Sequence, residues 1–265
     1  MKMKSKSNSA PFFKGGSGSS LIRLNKFLAD AGIASRRKAD ELIKQGSVSV
    51  NNKIVIDLGT KIQHTDRVSV NGNPVKTEQK LVYILLNKPK DYITTTSDEK
   101  DRKTVLDIVK SSKRIYPVGR LDRNTTGVLL LTNDGELAHK LTHPKFQIER
   151  VYNVTLDKIL KPEDAQKIAL GIDIDDAKTA PCELFIHPKN KSNVIITLKE
   201  GKNHEVKRIF EKLGYLVKKL DRKYFAGLSV QGLARGSYRH LSRHELYKLK
   251  KMAGIYVDEK QFFLK

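Results

Sequence analysis

The sequence predicts an α+β fold in which a small unit of two helices and a hairpin precedes a larger unit with a mixed, mainly antiparallel sheet. Near the N-terminus, apolar residues recur at helical spacing. Most later apolar segments are extended and are joined by turns, without a repeating strand–helix unit. The chain has 265 residues, of which 38% are hydrophobic. It can therefore bury one large core or two modest ones.

The first segment, residues 1–20, predicts a flexible basic tail. It is rich in Lys, Ser and Gly, ends in "GGSGSS", and has four lysines but no acid. Such a composition cannot bury a core and behaves as flexible coil. The tail is either a native basic arm or a cloning remnant.

Residues 21–73 predict a compact module. Apolar spacing predicts a first helix that ends near Gly32, and Ser35 is the predicted N-cap of a second helix that ends at Gly46. Alternation then predicts a hairpin with its turn at Asn51-Asn52, followed by a strand near residues 66–72. The residues expected to form the buried stripes of the helices are Leu21, Leu24, Phe27, Leu28, Ala39, Leu42 and Ile43.

The rest of the chain predicts a second domain. Residues 74–80 lack periodicity and are interpreted as a linker, residues 81–253 as the domain, and residues 254–265 as a C-terminal tail. The predicted elements are, in order, a strand in "KLVYILLN", a turn at Lys88-Pro89 and an extended run, a helix in "TVLDIV", a strand, loop, buried strand and helix in "RIYPVGRLDRNTTGVLLLTNDGELAHKLTHP", a strand in "ERVYNVTL", a helix in "KPEDAQKIALG", and a strand, helix and strand in residues 193–230.

The charge of the chain indicates a polyanionic partner. Lys and Arg number 51 against 29 Asp and Glu, a formal charge of +22. Residues 186–265 carry a net charge of +12, whereas residues 74–185 carry only +2. Each phosphate that such a surface neutralises releases a counterion and strengthens binding. Nucleic acid is therefore favoured over a membrane surface, because no apolar run approaches the roughly 20 residues that span a bilayer.

The single cysteine indicates a reducing environment. Cys182 has no possible intrachain disulfide partner and cannot contribute to a cysteine zinc cluster. No basic-then-apolar signal segment opens the sequence. The expected location is therefore the cytoplasm.

Motifs for metals and cofactors are discounted. His139 and His143 lie four residues apart but lack a third ligand, and Arg208 replaces the second histidine that a zinc-protease helix would need after His204. The acidic run at residues 173–176 lacks the spacing and glycine of a calcium loop. There is no phosphate-binding glycine loop and no dinucleotide fingerprint. We therefore expect neither a metal nor a cofactor.

The segment at residues 21–53, "LIRLNKFLADAGIASRRKADELIKQGSVSVNNK", resembles the RNA-binding domain named after small-subunit ribosomal protein four. Arg36 and Arg37 lie in the first turn of the predicted second helix, where cations oppose the helix dipole, which indicates a use outside the helix. The resemblance implies docking on structured RNA. It implies phosphate contacts for Arg23, Asn25, Lys26, Ser35, Arg36, Arg37 and Lys53.

Three ordered motifs resemble the RNA pseudouridine synthases of the branch that includes RsuA, RluB, RluE and RluF. They are "VGRLDRNTTGVLLLTNDGELAHKL", "ERVYNV" and "LKEGKNHEVKRIFEKLGY", and the resemblance covers residues 21–249. It implies that Asp122 is the catalytic carboxylate, that Tyr152 packs on the target base, and that Lys207 is the cation beside the acid. Many members of the family have Arg at the last position. The residues expected to contact RNA around this site are Arg120, Arg123, Lys202 and Arg208.

The resemblance implies an isomerase that converts uridine to pseudouridine without a cofactor. Within the branch, "DGELAHKLTHP" followed by "ERVYNV" is most similar to the RluB type, which implies 23S ribosomal RNA as substrate. The alternatives are the same reaction on 16S ribosomal RNA or tRNA, and a non-catalytic ribosome-assembly factor. A tRNA synthetase that borrowed the N-terminal domain is excluded for want of a nucleotide-binding motif. The expected partners are structured ribosomal RNA with a flipped-out uridine and pre-ribosomal particles, and a monomer is expected.

Overall fold

A computed structural model describes residues 21–76, 80–174 and 177–263 of the chain. The chain divides into two compact units, with the boundary between residues 79 and 80. The predicted basic tail lies outside the described residues, as do three residues of the predicted linker and the last two of the predicted C-terminal tail. No helix within the described ranges combines the length and the apolar character needed to cross a bilayer.

The N-terminal unit combines two short helices with small antiparallel sheets. Its elements are β1 (Ile22–Arg23), α1 (Leu24–Asp30), α2 (Arg36–Lys44), β2 (Val48–Val50), β3 (Lys53–Ile54), β4 (Lys61–Ile62), β5 (Val68–Val70) and β6 (Asn73–Pro74). Strand β1 pairs with β4, and the other four strands form a sheet in the order β3-β2-β5-β6.

Helix α2 begins as its sequence predicts, and the predicted stripe residues Leu24, Phe27, Leu28, Ala39 and Ile43 are buried. The burial predicted for Leu21 is wrong, because Leu21 precedes β1 and α1 and is 55% exposed. The Ser35 Oγ accepts the Lys38 backbone N–H at 3.1 Å and caps α2. Leu28 and Ile43 are fully buried in the core between the helices and the strands. The unit extends further than the predicted linker boundary: Pro74 lies in β6, and the Val75 N–H donates to the Val68 carbonyl at 2.9 Å. The two residues of β6 are too few to show a sequence pattern, so this pairing at the sheet edge could not be predicted from the sequence.

The C-terminal unit contains eleven strands and six helices within its described residues. They are β7 (Tyr83–Lys88), α3 (Val105–Ile108), β8 (Tyr116–Pro117), β9 (Thr126–Thr132), α4 (Gly135–Thr142), β10 (Arg150–Leu156), α5 (Pro162–Leu170), β11 (Asp173–Ile174), β12 (Ala177–Lys178), β13 (Glu183–Ile186), β14 (Asn193–Leu198), α6 (Glu205–Lys212), β15 (Val217–Phe225), β16 (Leu228–Ser229), β17 (Tyr238–His240), α7 (Arg243–Met252) and α8 (Glu259–Phe263).

One mixed sheet organises the C-terminal unit. Its main path is β13-β14-β10-β15-β9-β7-β17, with β16 on β15 and β8 on β9. All pairings are antiparallel except that of β9 with β15. At this parallel junction Gly127 has φ +108°, and a Cβ placed on it would lie 2.1 Å from the Arg222 carbonyl oxygen. Glycine is therefore required for the two halves of the sheet to meet.

Three apolar clusters cover the sheet. One contains Leu85 and Leu130 and is completed by α4 and α7, and a second lies on the opposite face of β7 and β9, with Ile84 and Leu129. The third lies between β10, β14 and α6, with Phe210 at its centre. Strands β7 and β9 are thus buried on both faces, which explains the consecutive apolar residues at positions 83–86 and 128–131.

The predicted α+β class and mainly antiparallel sheet are confirmed. Several elements were not predicted: β1, β4 and β6 in the N-terminal unit, and, in the C-terminal unit, the four short strands β11, β12, β16 and β17, the edge strand β13, and the helices α7 and α8. The four short strands have two or three residues each, too few for a periodic pattern.

Candidate active site

Asp122 lies in the loop of residues 118–125, which connects β8 to β9. Thr94 fixes the loop on one side, because its Oγ1 donates to the Leu121 carbonyl at 2.7 Å. The Thr125 N–H donates to the Asp122 carbonyl at 3.1 Å and closes a tight turn around the acid. The loop therefore presents the Asp122 side chain, which is 28% exposed, at the start of a buried strand.

Lys88 supports this loop from the interior. It ends β7, is 0% exposed, and donates from Nζ to four backbone carbonyls at 2.9 to 3.2 Å. Three of those carbonyls belong to Asp122, Arg123 and Thr125. Burial lowers the pKa of the Lys88 ammonium to about 8. The Lys88 ammonium thus connects the Asp122 loop to β7 through hydrogen bonds to backbone carbonyls.

Two basic side chains from the start of α6, Lys207 and His204, approach the Asp122 carboxylate. The Lys207 Nζ lies 2.7 Å from one carboxylate oxygen, and the His204 Nε2 lies 3.2 Å from the other. Val206 and Phe210 bury the opposite face of α6, which turns Lys207 towards the acid. His204 precedes the helix with φ +51°, in the left-handed region. The loop and the helix, distant in sequence, thus form one charged constellation.

Tyr152 borders the same cavity as Asp122. It lies in β10 opposite Arg222 of β15, beside a register shift between Val151 and Tyr152. Its side chain is half-buried and packs against apolar residues of two clusters. An aromatic ring in this position provides a surface on which a planar base can stack.

Two further arginines line the cavity. Arg150 donates from Nη1 to the carbonyls of Ile148 and Glu200 at 2.8 and 3.2 Å. Arg222 donates from Nε to the Val128 carbonyl at 2.9 Å. Both guanidinium groups lie over the ring of Phe225, at 5.7 and 4.6 Å from its centroid. Burial lowers the pKa of both guanidinium groups from the ordinary value.

An acid pair completes the cavity wall. Glu205, the first residue of α6, is buried and accepts the Lys202 backbone N–H at 3.0 Å. Burial and the neighbouring Glu200 raise the pKa of Glu205 to about 7. Glu200 in turn lies 3.1 Å from the Lys202 Nζ. The whole cavity has a volume of about 390 Å³, large enough for a nucleotide-sized group.

The residues predicted to contact RNA near the site lie around this cavity but differ in their surroundings. Arg120 is exposed and lines the cavity. Arg123 is exposed and lies 3.2 Å from the Asp91 carboxylate. Lys202 lines the cavity and donates to the Lys178 carbonyl at 2.8 Å. Arg208 follows Lys207 in α6 and is half-buried.

In the N-terminal unit most of the predicted RNA-binding residues lie at the surface. Those exposed to solvent are Arg23, Arg36, Arg37 and Lys53. Lys26 is half-exposed and pairs with Asp30 at 2.6 Å, and Ser35 is occupied in capping α2. The phosphate contact expected for Asn25 is wrong for this structure. Its side chain is buried, and its amide donates to the Asp40 carboxylate at 2.8 Å, which joins α1 to α2.

Four residues of the site are not indicated as functional by the sequence, namely Arg150, Arg222, Lys88 and His204. Arg150 and Arg222 lie in strands, where sequence alternation alone does not reveal a cavity. Lys88 could have been noticed, because it is a lysine at the end of a largely apolar segment. The sequence itself predicts only a turn at this position. His204 was considered only as a possible zinc ligand. Within the described residues no group of three or more His, Cys, Asp or Glu side chains is placed to hold a metal.

Comparisons with known proteins agree with this architecture. The family model for RNA pseudouridylate synthase matches residues 82–212, and the S4 domain model matches residues 22–68. Ribosomal large subunit pseudouridine synthase B of Bacillus subtilis (strain 168) is 45% identical over 236 residues, covering 87% of this chain and 96% of the relative. The dual-specificity RNA pseudouridine synthase RluF of Escherichia coli (strain K12) is 37% identical over 237 residues, covering 88% of this chain and 80% of the relative.

A solved structure supports the same relationship. The crystal structure of a pseudouridylate synthase superposes with a TM-score of 0.64 and 31% sequence identity, covering 86% of this chain and 99% of the other. Both the sequence relatives and this structure span nearly the full length of the described chain. The chain belongs to the RNA pseudouridine synthase family and carries an N-terminal S4 domain.

Proposed function

We propose that this protein converts a specific uridine of 23S ribosomal RNA to pseudouridine, with Asp122 as the reacting carboxylate. The observation that carries the proposal is the contact between the Asp122 carboxylate and the Lys207 ammonium, 2.7 Å apart, in a cavity that Tyr152 also borders. The RNA target is supported by the 45% identity to a large-subunit pseudouridine synthase.

The reaction exchanges one bond of the uracil for another and needs no net oxidation or reduction. The N1–C1′ bond breaks and its electron pair stays on the base, which turns and forms a new bond from C5 to C1′. The C5 proton is then lost and N1 gains a proton, so that the product is an isomer of the substrate. Asp122 acts either as a nucleophile at C1′ or as the base that removes the C2′ proton in a glycal route.

Lys207 places a positive charge against the Asp122 carboxylate within the cavity. A carboxylate that leaves water needs a cation or hydrogen-bond donors to remain charged. Lys207 supplies a point charge, whereas the Arg of many relatives would supply a two-pronged donor. His204, at 3.2 Å from the second carboxylate oxygen, shares in the same stabilisation.

The substrate uridine must leave its RNA stack to reach Asp122. Flipping a nucleotide out costs a few kcal/mol of lost stacking, which an aromatic face partly restores. We assign that face to Tyr152. The exposed Arg120 at the cavity, together with Arg123, Lys202 and Arg208, contacts the surrounding backbone.

The N-terminal unit supplies additional affinity for structured RNA through Arg23, Lys26, Arg36, Arg37 and Lys53. The proposed partners are ribosomal RNA and pre-ribosomal particles, and the proposed state and location are a monomer in the cytoplasm. The charge of +22 supports a phosphate-rich partner.

The test is to map pseudouridines in ribosomal RNA from cells with and without this protein. We expect one 23S site to lose its modification and to regain it when the wild-type gene, but not an Asp122→Asn variant, is restored. A lost site in 16S RNA or tRNA would reassign the substrate. An unchanged map, with no conversion by the purified protein, would favour the non-catalytic assembly factor instead.

A further inference from the structure

Arg150 and Arg222 place two positive charges inside the protein at the cavity wall. Arg222 is 2% exposed and Arg150 is 9% exposed. They lie on the neighbouring strands β15 and β10 and share Phe225 between them. Charged side chains this deeply buried are almost always paired with an opposite charge.

Among the described residues, neither arginine has a carboxylate within ion-pair distance. Arg150 and the Arg222 Nε donate to backbone carbonyls, and Arg222 also bonds to the side chain of Tyr152, which offers a hydroxyl and not a carboxylate. The Arg222 Nη2 has no hydrogen-bond acceptor among those residues. The other charges at the cavity are engaged elsewhere: Asp122 with Lys207, and Glu200 with Lys202.

Glu205 does not supply the missing negative charge. It attracts Arg150 at longer range, but with a pKa near 7 it is only partly ionised at neutral pH. The arginines themselves stay charged, because a guanidinium group is not deprotonated in proteins. The cavity wall therefore has an uncompensated positive charge before any ligand enters.

Two anions of the substrate could compensate this charge, namely a backbone phosphate or the base itself. A phosphate keeps much of its hydration and suits exposed cations, which the cavity has in Arg120. The buried arginines instead lie beside Tyr152, where the base stacks in the proposed function. The anion of the base is flat, weakly hydrated and has delocalised charge. It therefore suits these buried arginines better than a phosphate does.

We infer that Arg222 and Arg150 form an electrostatic wall that stabilises the uracil anion released when the N1–C1′ bond breaks. This inference rests on the proposed function and adds two residues to it. When the bond breaks, its electron pair passes to N1 and spreads onto O2 and O4 of the base. When C5 attacks C1′, the negative charge leaves the base. The two arginines therefore stabilise the free uracil anion, which exists after the N1–C1′ bond breaks and before the C5–C1′ bond forms. The effect is the same whether Asp122 acts as nucleophile or as base.

The experiment compares two leaving bases in one RNA fragment of the target site, containing either uridine or 5-fluorouridine. Fluorine withdraws electrons, so the fluorinated base is the more stable anion and needs less help. Single-turnover consumption of each nucleoside is measured for the wild type, Arg222→Met, Arg222→Lys and Arg150→Met. The control is Arg239→Met, because Arg239 is paired with Glu245 at 2.7 Å and does not line the cavity.

We expect Arg222→Met to slow uridine consumption about a hundredfold, and fluorouridine consumption distinctly less. Arg222→Lys should recover part of the uridine rate because it restores the charge, and Arg150→Met should repeat the pattern more weakly. If Arg222→Met does not fold, the other two variants decide. Equal losses on both bases would overturn the inference, because a merely structural role slows both alike. A wild-type protein that consumes neither base would instead refute the proposed function.

Discussion

The Nζ of Lys88 lies 3.1 Å from the backbone carbonyl of Asp122, at the end of a strand that is buried along its whole length. The lysine thus contacts the main chain of the acid while the acid's side chain faces Lys207. Lys88 positions the loop, and Lys207 compensates the negative charge of the Asp122 side chain. The two roles can be separated by substitution.

Replacing Lys88 with Met should reduce turnover while leaving RNA affinity nearly unchanged, because the Asp122 loop loses its internal donors. The carbonyls of Asp122 and Arg123 keep one other backbone donor each, so the protein should lose about 1–3 kcal/mol of stability and remain folded. The matched control is Lys90→Met, an exposed lysine two residues further on. Steady-state kinetics check this: an unchanged kcat would remove Lys88 from loop positioning.

The wild-type activity should fall as the pH rises through about 8, where burial places the Lys88 pKa. Asp122, Asp91 and Arg235 are the charged groups that act on it; the two acids raise this pKa and Arg235 lowers it. An unfolded lysine holds its proton to about pH 10.4. Between these values the unfolded chain binds more protons, so the Lys88 contribution to stability rises with pH. A pH profile of kcat beside chemical denaturation checks this, and activity that holds steady to pH 10 would contradict it.

Asp122→Asn should abolish isomerisation, by at least about a thousandfold, because an amide of the same size neither attacks C1′ nor removes a proton. RNA binding should be nearly intact. Asp91→Asn serves as the control, since Asp91 is an exposed acid that pairs with Arg123 of the same loop. Conversion is followed by nucleoside analysis. An Asn variant near the wild-type rate would show that Asp122 is not the reacting group.

Lys207→Met should lower turnover about a hundredfold, since it leaves the half-buried Asp122 carboxylate beside an apolar chain. Lys207→Arg should retain most of the activity because it restores the charge. Lys212→Met, on the exposed last turn of the same helix, controls for a general loss of positive charge. A Met variant with full activity between pH 6 and 8 would exclude Lys207 from the mechanism.

The N-terminal unit should add RNA affinity but no chemistry, because the cavity lies entirely in the C-terminal unit. Residues 80–265 alone should convert a saturating short substrate but bind the full RNA site more weakly. Loss of Z phosphate contacts should flatten the dependence of log K on log salt by about 0.9Z on duplex or 0.7Z on single strands. Binding titrations at several salt concentrations check this, with Arg36→Gln/Arg37→Gln in the full chain as a milder version. Equal salt slopes would mean that this unit does not touch that RNA.

Much of the fold followed from local pattern. Ser35 caps its helix as predicted, and the buried strand after Asp122 is β9. The family resemblance placed Asp122 and Lys207 in one site, and the structure brings them within 2.7 Å. Neither the local sequence pattern nor the family resemblance indicated the buried Arg150 and Arg222. The Arg222 side chain is held by a hydrogen bond to the Val128 carbonyl, 94 residues earlier in the chain. No local sequence pattern predicts a partner so distant. Asn25 misled for a similar reason, because its buried bond to Asp40 depends on how two helices pack.

The parallel junction at Gly127 has a consequence for the order in which the protein becomes active. The acid and its loop are synthesised first, whereas Lys207, Arg222 and the strand that pairs with β9 follow much later in translation. A nascent chain that ends before β15 therefore holds Asp122 in an incomplete site, without the arginine of that strand. The complete cavity wall therefore requires the chain up to Phe225, the last residue that lines it.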